Sequence, residues 1–117
     1  GVIHDVAAYL DTLERVKQMS ARTFVPAHAD AAQDIAPLAQ YNIDQVHQVA
    51  EDILALCREP VQFETILQNL FTGYGLELTL EQYVLVGSTV RSYLAWLVDG
   101  GQVTYGFDQN RLLWERA

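Results

Sequence analysis

Residues 100–116 read GGQVTYGFDQNRLLWER, and how they are read decides the fold. Gly100 and Gly101 are a stop signal for whatever helix precedes them. Two β-rich arms then flank Asp108-Gln109-Asn110, which predicts a β-hairpin. Working back, residues 79–99 form a strong helical pattern. Thr79 and Gln82 have the spacing of a capping box, and Leu80, Tyr83/Val84, Gly87, Val90, Leu94 and Leu97 make one apolar stripe. Gly87 within that stripe predicts close backbone approach by a neighbour. TGYGLEL, residues 72–78, is a glycine-broken turn. Before it, VQFETILQNLF predicts a short helix with Phe63, Ile66/Leu67 and Leu70 inward.

A longer helix lies upstream. Asp34 is its expected cap, Pro37 falls in its first turn, and Leu38, Ile43, Val46, Ala50, Ile53/Leu54 and Cys57 form its stripe. It should stop near Glu59, because the residue before Pro60 disfavours the α region. Residues of about 40–117 therefore read helix, helix, turn, helix, hairpin. That is the order of a winged helix-turn-helix, with the hairpin as the wing.

The N-terminal third is different. Residues 5–19, DVAAYLDTLERVKQM, predict a helix with Val6, Tyr9/Leu10, Leu13 and Val16 on one face and Asp5 as its cap. RTFVPA, residues 22–27, reads as a short strand ended by Pro26, and residues 28–34 as a loop. A lone strand is not stable without neighbours. Together with a start at Gly1-Val2-Ile3 and no initiator methionine, this leads to the expectation of a piece cut from a longer protein.

AYLDTLERVKQM, then RTFVPAHAD, then a long helix and a C-terminal winged helix is similar to the tail of metallo-β-lactamase-fold hydrolases. In that superfamily a helix of the type YLxSLERL leads into a strand ending VxPGHG, whose histidine ligates the second metal. The resemblance places His28 on that ligand position and Pro26 on the family's proline. Ala27 and Ala29 stand where the family has glycine. The family's H-x-H-x-D-H cluster, later histidine and bridging aspartate would lie upstream of Gly1. One histidine does not hold a catalytic metal, since such sites use about three protein ligands per zinc. The resemblance thus implies zinc or another divalent metal in the full-length protein and none tightly bound by this part. It implies that residues 1–36 are a remnant of an αββα metallo-hydrolase domain. Residues 37–117 are then the linking helix and winged-helix-like domain. The expected fold class is mainly α with a small β-hairpin. The implied partners are the N-terminal hydrolase domain and a second copy in a homodimer.

Composition bounds the rest. The 117 residues are half apolar and about a fifth charged, as in a globular protein with a core. No apolar run approaches the roughly 20 residues needed to span a bilayer. Cys57 is the one cysteine, so no internal disulfide forms and a reducing, cytoplasmic setting is expected. The net charge of −8 opposes phosphate backbones and anionic membranes. From Pro60 to Ala117 there are three arginines (Arg91, Arg111, Arg116) and no lysine, against six acidic residues. Arg91 is the only basic residue of the helix a DNA reader would use. Phosphate binding draws on several Lys/Arg contacts, so the charge argues against DNA.

The remaining chemistry-bearing residues are read plainly. His47 and Glu51 are four apart and make at most a weak two-ligand pair; a solvated helix histidine is the simpler reading. His4 carries no motif. Cys57 lacks a histidine partner at helical spacing and reads as a small apolar core residue. The aromatics Tyr74, Tyr83, Tyr93, Trp96, Tyr105, Phe107 and Trp114 read as core plus an interaction surface, since a base-stacking platform would need a basic groove.

Overall fold

The computed structural model describes residues 5–22 and 29–117. Among the described residues the chain is mainly helical, with four helices and one two-stranded antiparallel sheet. The elements are α1 (Val6–Arg22), α2 (Ala29–Leu56), α3 (Phe63–Gly73), α4 (Leu80–Asp99), β1 (Val103–Asp108) and β2 (Arg111–Arg116). Residues 6–48 form one compact unit and residues 49–117 another.

In the first unit, Leu13 of α1 packs with Ala39 and Ile43 of α2, with Tyr9, Leu10 and Val16 partly buried around them. The Lys17 ammonium donates to Gln40 Oε1 at 2.5 Å, and Gln40 in turn donates to Asp44. Three features depart from the sequence expectation. Helix α2 begins at Ala29, so the stretch expected as a loop up to Asp34 is helical. Its ADAAQD sequence is rich in alanine, the best helix former. Pro37 consequently sits inside the helix, where it forgoes one intrahelical hydrogen bond. Leu38, expected inward, is exposed, and its neighbour Ala39 is buried in its place. The expected strand over 22–27 begins on Arg22, which is the last residue of α1; residues 23–27 lie outside the described residues.

In the second unit the helical stripes meet as the spacing requires. Ile53, Leu54 and Cys57 are buried at the end of α2, Ile66 and Leu67 in α3, and Leu94 and Leu97 in α4. Thr79 caps α4, its hydroxyl accepting from the Gln82 amide at 3.2 Å. At the other end the Gly101 amide bonds to Val98 and the Gln102 amide to Leu97. Gly101 has φ +73°, which glycine adopts without steric cost. Gly87 is buried, but side chains and not a backbone approach it: the Phe63 ring and the Arg91 guanidinium each lie 3.6 Å from where a Cβ would be. The stripe of α4 holds from Gly87 onward and fails before it: Leu80 is 81% and Val84 60% exposed.

Strands β1 and β2 pair from Val103↔Arg116 to Asp108↔Arg111, so Asp108 belongs to the strand and the loop is two residues long. Both loop residues have positive φ, Gln109 at 52° and Asn110 at 63°, the signature of a type I′ turn. This turn suits the right-handed twist of the paired strands. One pairing has no local sequence signal. Val61, in the α2–α3 link, bridges Trp114 with reciprocal hydrogen bonds of 2.8 and 2.9 Å. The Arg116 amide also donates to the Cys57 carbonyl. Strand β2 is therefore held on both sides, and among the described residues β1 is the outer edge. The hairpin packs on α4 through β1 and on α3 through β2.

Candidate interaction surface

Within residues 49–117, polar and apolar groups are distributed in a way that bears on function. Leu76 and Leu78 in the α3–α4 link, and Leu80, Val84 and Leu85 in the first turns of α4, are all exposed. Leu76 and Leu78 line a groove of about 550 Å³ together with Leu67 and Phe71, and its lining carboxylates are Glu64 and Glu77. No lysine or arginine lines it. Exposed apolar side chains clustered in this way mark a contact surface more than scattered ones do.

The helix α4 has one basic residue, and that residue is committed. The Arg91 guanidinium lies 4.0 Å from the centre of the Phe63 ring, a cation–π contact. The Tyr83 hydroxyl donates to Glu64, which ties α4 to α3. That bond, with some desolvation and the Glu64 charge, raises the Tyr83 pKa, while Arg91 works the other way. The exposed face of α4 is thus apolar and acidic where a DNA-reading face is basic.

A second surface lies on the hairpin. Tyr105 and Phe107 share one face of β1, with ring centres 6.3 Å apart in an edge-on arrangement. Tyr105 also leans on its cross-strand partner Trp114 at 5.9 Å. Val103 anchors the base of this face at 2% exposure, but Phe107 near the tip is 75% exposed. The sequence reading assigned these aromatics to core or interaction surface without dividing them; burial divides them. Tyr93 is buried, Trp96 and Trp114 are half-buried, and Tyr74, Tyr105 and Phe107 are exposed. The Trp114 indole N–H is buried without an acceptor among the described residues. On the opposite face, a hollow of about 220 Å³ runs over Gly106 between Thr104, Asp108, Leu113 and Glu115.

The candidate metal ligand His28 lies outside the described residues, as does His4. His47 and Glu51 are both exposed on α2. Among the described residues no group of three or more His, Cys, Asp or Glu side chains is arranged to hold a metal ion. Cys57 is fully buried, and burial pushes its thiol up to about 11, which suits a packing residue and not a nucleophile. Tyr74 donates to Asp52 at 2.6 Å; burial first, and then this bond, raise its pKa. Sequence reasoning missed that contact because its partners are far apart in the chain. No helix among the described residues is long and apolar enough to cross a membrane.

Comparison of the chain with family models, with curated proteins and with solved structures finds no match.

Proposed function

We propose that the chain is the C-terminal part of a metallo-β-lactamase-fold, metal-dependent hydrolase, catalytically incomplete by itself. Its winged-helix-like end covers the substrate pocket or builds a dimer. The hydrolase parentage rests on the resemblance of the AYLDTLERVKQM and RTFVPAHAD segments and on the order of the elements after them. The winged-helix reading is supported by α3, α4 and the hairpin in that order, with Val61 adding a third strand position beside β2. One observation carries the role of this module. The α4 face exposes Leu80, Val84 and Leu85 with Glu81, and its single arginine is folded over Phe63. Such a face packs against protein and repels a phosphate backbone.

In the full-length enzyme the metal ions would lower the pKa of a bridging water and polarise the scissile group. His28 is the residue of this chain assigned to hold one of them. The bond cleaved is a thioester, an amide or lactam, or a phosphodiester. The test is direct. The reading frame upstream of Gly1 should encode H-x-H-x-D-H followed by a further histidine and an aspartate. In that longer protein His28→Ala should lower bound metal and hydrolytic activity together. Unchanged metal content and activity would remove His28 from the site.

The second reading is a non-enzymatic acidic interaction domain, favoured by the same exposed apolar face. An upstream frame without metal-ligand motifs would select it. A third reading, a DNA-binding regulator, requires salt-dependent duplex binding, and the acidic face predicts none.

A further inference from the structure

Among the described residues, nothing pairs with the outer edge of the hairpin. With a two-residue turn, Asp108↔Arg111 is the first hydrogen-bonded pair, and bonded pairs alternate from there through Gly106↔Leu113 and Thr104↔Glu115. The Ala117 amide donating to the Gln102 carbonyl continues that alternation. On β2 the opposite set of groups is used: Trp114 turns its amide and carbonyl outward to Val61. By the same alternation, the amides and carbonyls of Tyr105 and Phe107 on β1 point away from β2. Both residues are exposed. Proteins usually guard such an edge with lysine, proline or a bulge. Strand β1, VTYGFD, has none of these.

We infer that β1 pairs with β1 of a second copy of this chain, antiparallel and in register about Gly106, giving a reversible homodimer. This rests on reading residues 49–117 as an interaction module, and not on the hydrolase parentage. Three observations select a second copy as the occupant. First, the edge is self-complementary. A twofold axis through Gly106 sets Tyr105 against the partner's Phe107 as a bonded pair, and Phe107 against the partner's Tyr105. It stacks four aromatic rings on one face.

Second, the charges allow it. In a chain of net charge −8, the only charged residue on β1 is Asp108. It already faces Arg111 at 3.4 Å, and in this register it lies opposite the partner's Thr104, not a like charge. Third, neither backbone angle nor crowding within one copy calls for glycine at 106. Its φ is not positive, and a Cβ there would meet no heavy atom within 4 Å. Strand-interior glycine without a bulge is one mark of close approach by a ligand or another backbone. At the twofold axis Gly106 faces itself.

The area sets the strength. Tyr105 at 57% and Phe107 at 75% exposure offer about 260 Å² of aromatic surface per copy, taking roughly 200 Å² for a whole ring side chain. Doubled, and with the edge backbone added, this stays below the roughly 1,200 Å² of a permanent complex. The dimer should form and dissociate with concentration.

The test uses the 117-residue chain and analytical ultracentrifugation from about 10 μM to 1 mM, at about 0.15 M salt so that the net charge of −8 is screened while charges facing each other at the axis still act. Wild type should pass from monomer toward dimer across that range. Gly106→Lys puts like charges opposite each other at the axis, and Gly106→Glu does the same with the other sign. Each alone should weaken association at least tenfold, with far-UV circular dichroism unchanged. An equimolar mixture of the two should recover association as a heterodimer. Tyr105→Pro removes an outward-pointing amide and no β1–β2 hydrogen bond, together with the ring that leans on Trp114, and should also give a monomer, its fold checked by circular dichroism. Wild type monomeric at 1 mM overturns the proposal, as does undiminished dimerisation of Gly106→Lys and Tyr105→Pro. So does binding of an extended peptide on β1 by a chain that never self-associates. None of these outcomes bears on the metal content that tests the hydrolase reading.

Discussion

Leu80 and Leu94 lie in the same helix and on the same apolar stripe when only spacing is considered. The structure separates them. Leu94 is 0% exposed and Leu80 81% exposed. Burying a leucine side chain is worth about 2 kcal/mol by transfer, and deletion in a packed core adds a cavity term. Leu94→Ala should therefore cost about 3 kcal/mol, within the 2–5 kcal/mol span of such deletions. For a chain of this length that lowers the melting temperature by about 10–15 °C. At Leu80 only about a fifth of the side chain is removed from water, so the transfer loss is about 0.4 kcal/mol. Alanine's better helix propensity offsets part of that. Urea denaturation followed by circular dichroism measures both. Leu94→Ala should shift the midpoint strongly, and Leu80→Ala should leave it within error. A comparable loss from Leu80→Ala would mean that the first turn of α4 is packed inside. The exposed apolar face on which the interaction reading rests would then not exist.

Other perturbations have equally definite signs. Thr79→Ala removes the hydroxyl that accepts from the Gln82 amide and should cost about 1 kcal/mol in the same assay. Replacing Gln109-Asn110 with Asn-Gly puts a residue that tolerates positive φ at 109 and removes the side chain at 110, and should stabilise the hairpin by about 1 kcal/mol. Cys57 should resist thiol reagents at pH 8 in the native state and react at once in denaturant. Its pKa is raised from 9.0 to about 11, so the neutral thiol is the form that folding favours. Its contribution is fully present below pH 9 and is lost as pH rises through about 11. Cys57→Ser, which does not titrate there, should flatten stability against pH in that window.

Much of the fold is legible in the sequence because it is encoded locally. The Thr79–Gln82 cap, the Gly100–Gly101 stop and the polar turn at the hairpin tip act over a few residues. So do the stripes through Ile53, Ile66 and Leu94, whose spacing puts them on one face whatever lies opposite. The start of α2 was misread for a related reason. Capping and proline signals at Asp34 and Pro37 suggested a boundary, and the alanines before them carried the helix back to Ala29. Of the candidate site, His28 came from a motif resemblance, and it lies outside the described residues.

From residue 37 onward the sequence determined the element types, and throughout it determined the acidic balance and the single basic residue of α4, since these depend on local propensity and on counting charges. Tertiary structure alone decided which apolar residues face water. A stripe such as Leu80–Val84–Gly87–Leu94 is buried only as far as a neighbour extends, and its first turns are left uncovered. It also decided that Val61 closes one side of β2, leaving β1 as the open edge. Such pairings join residues more than fifty positions apart. They are set by how the helices stack, a long-range fact that no local pattern carries.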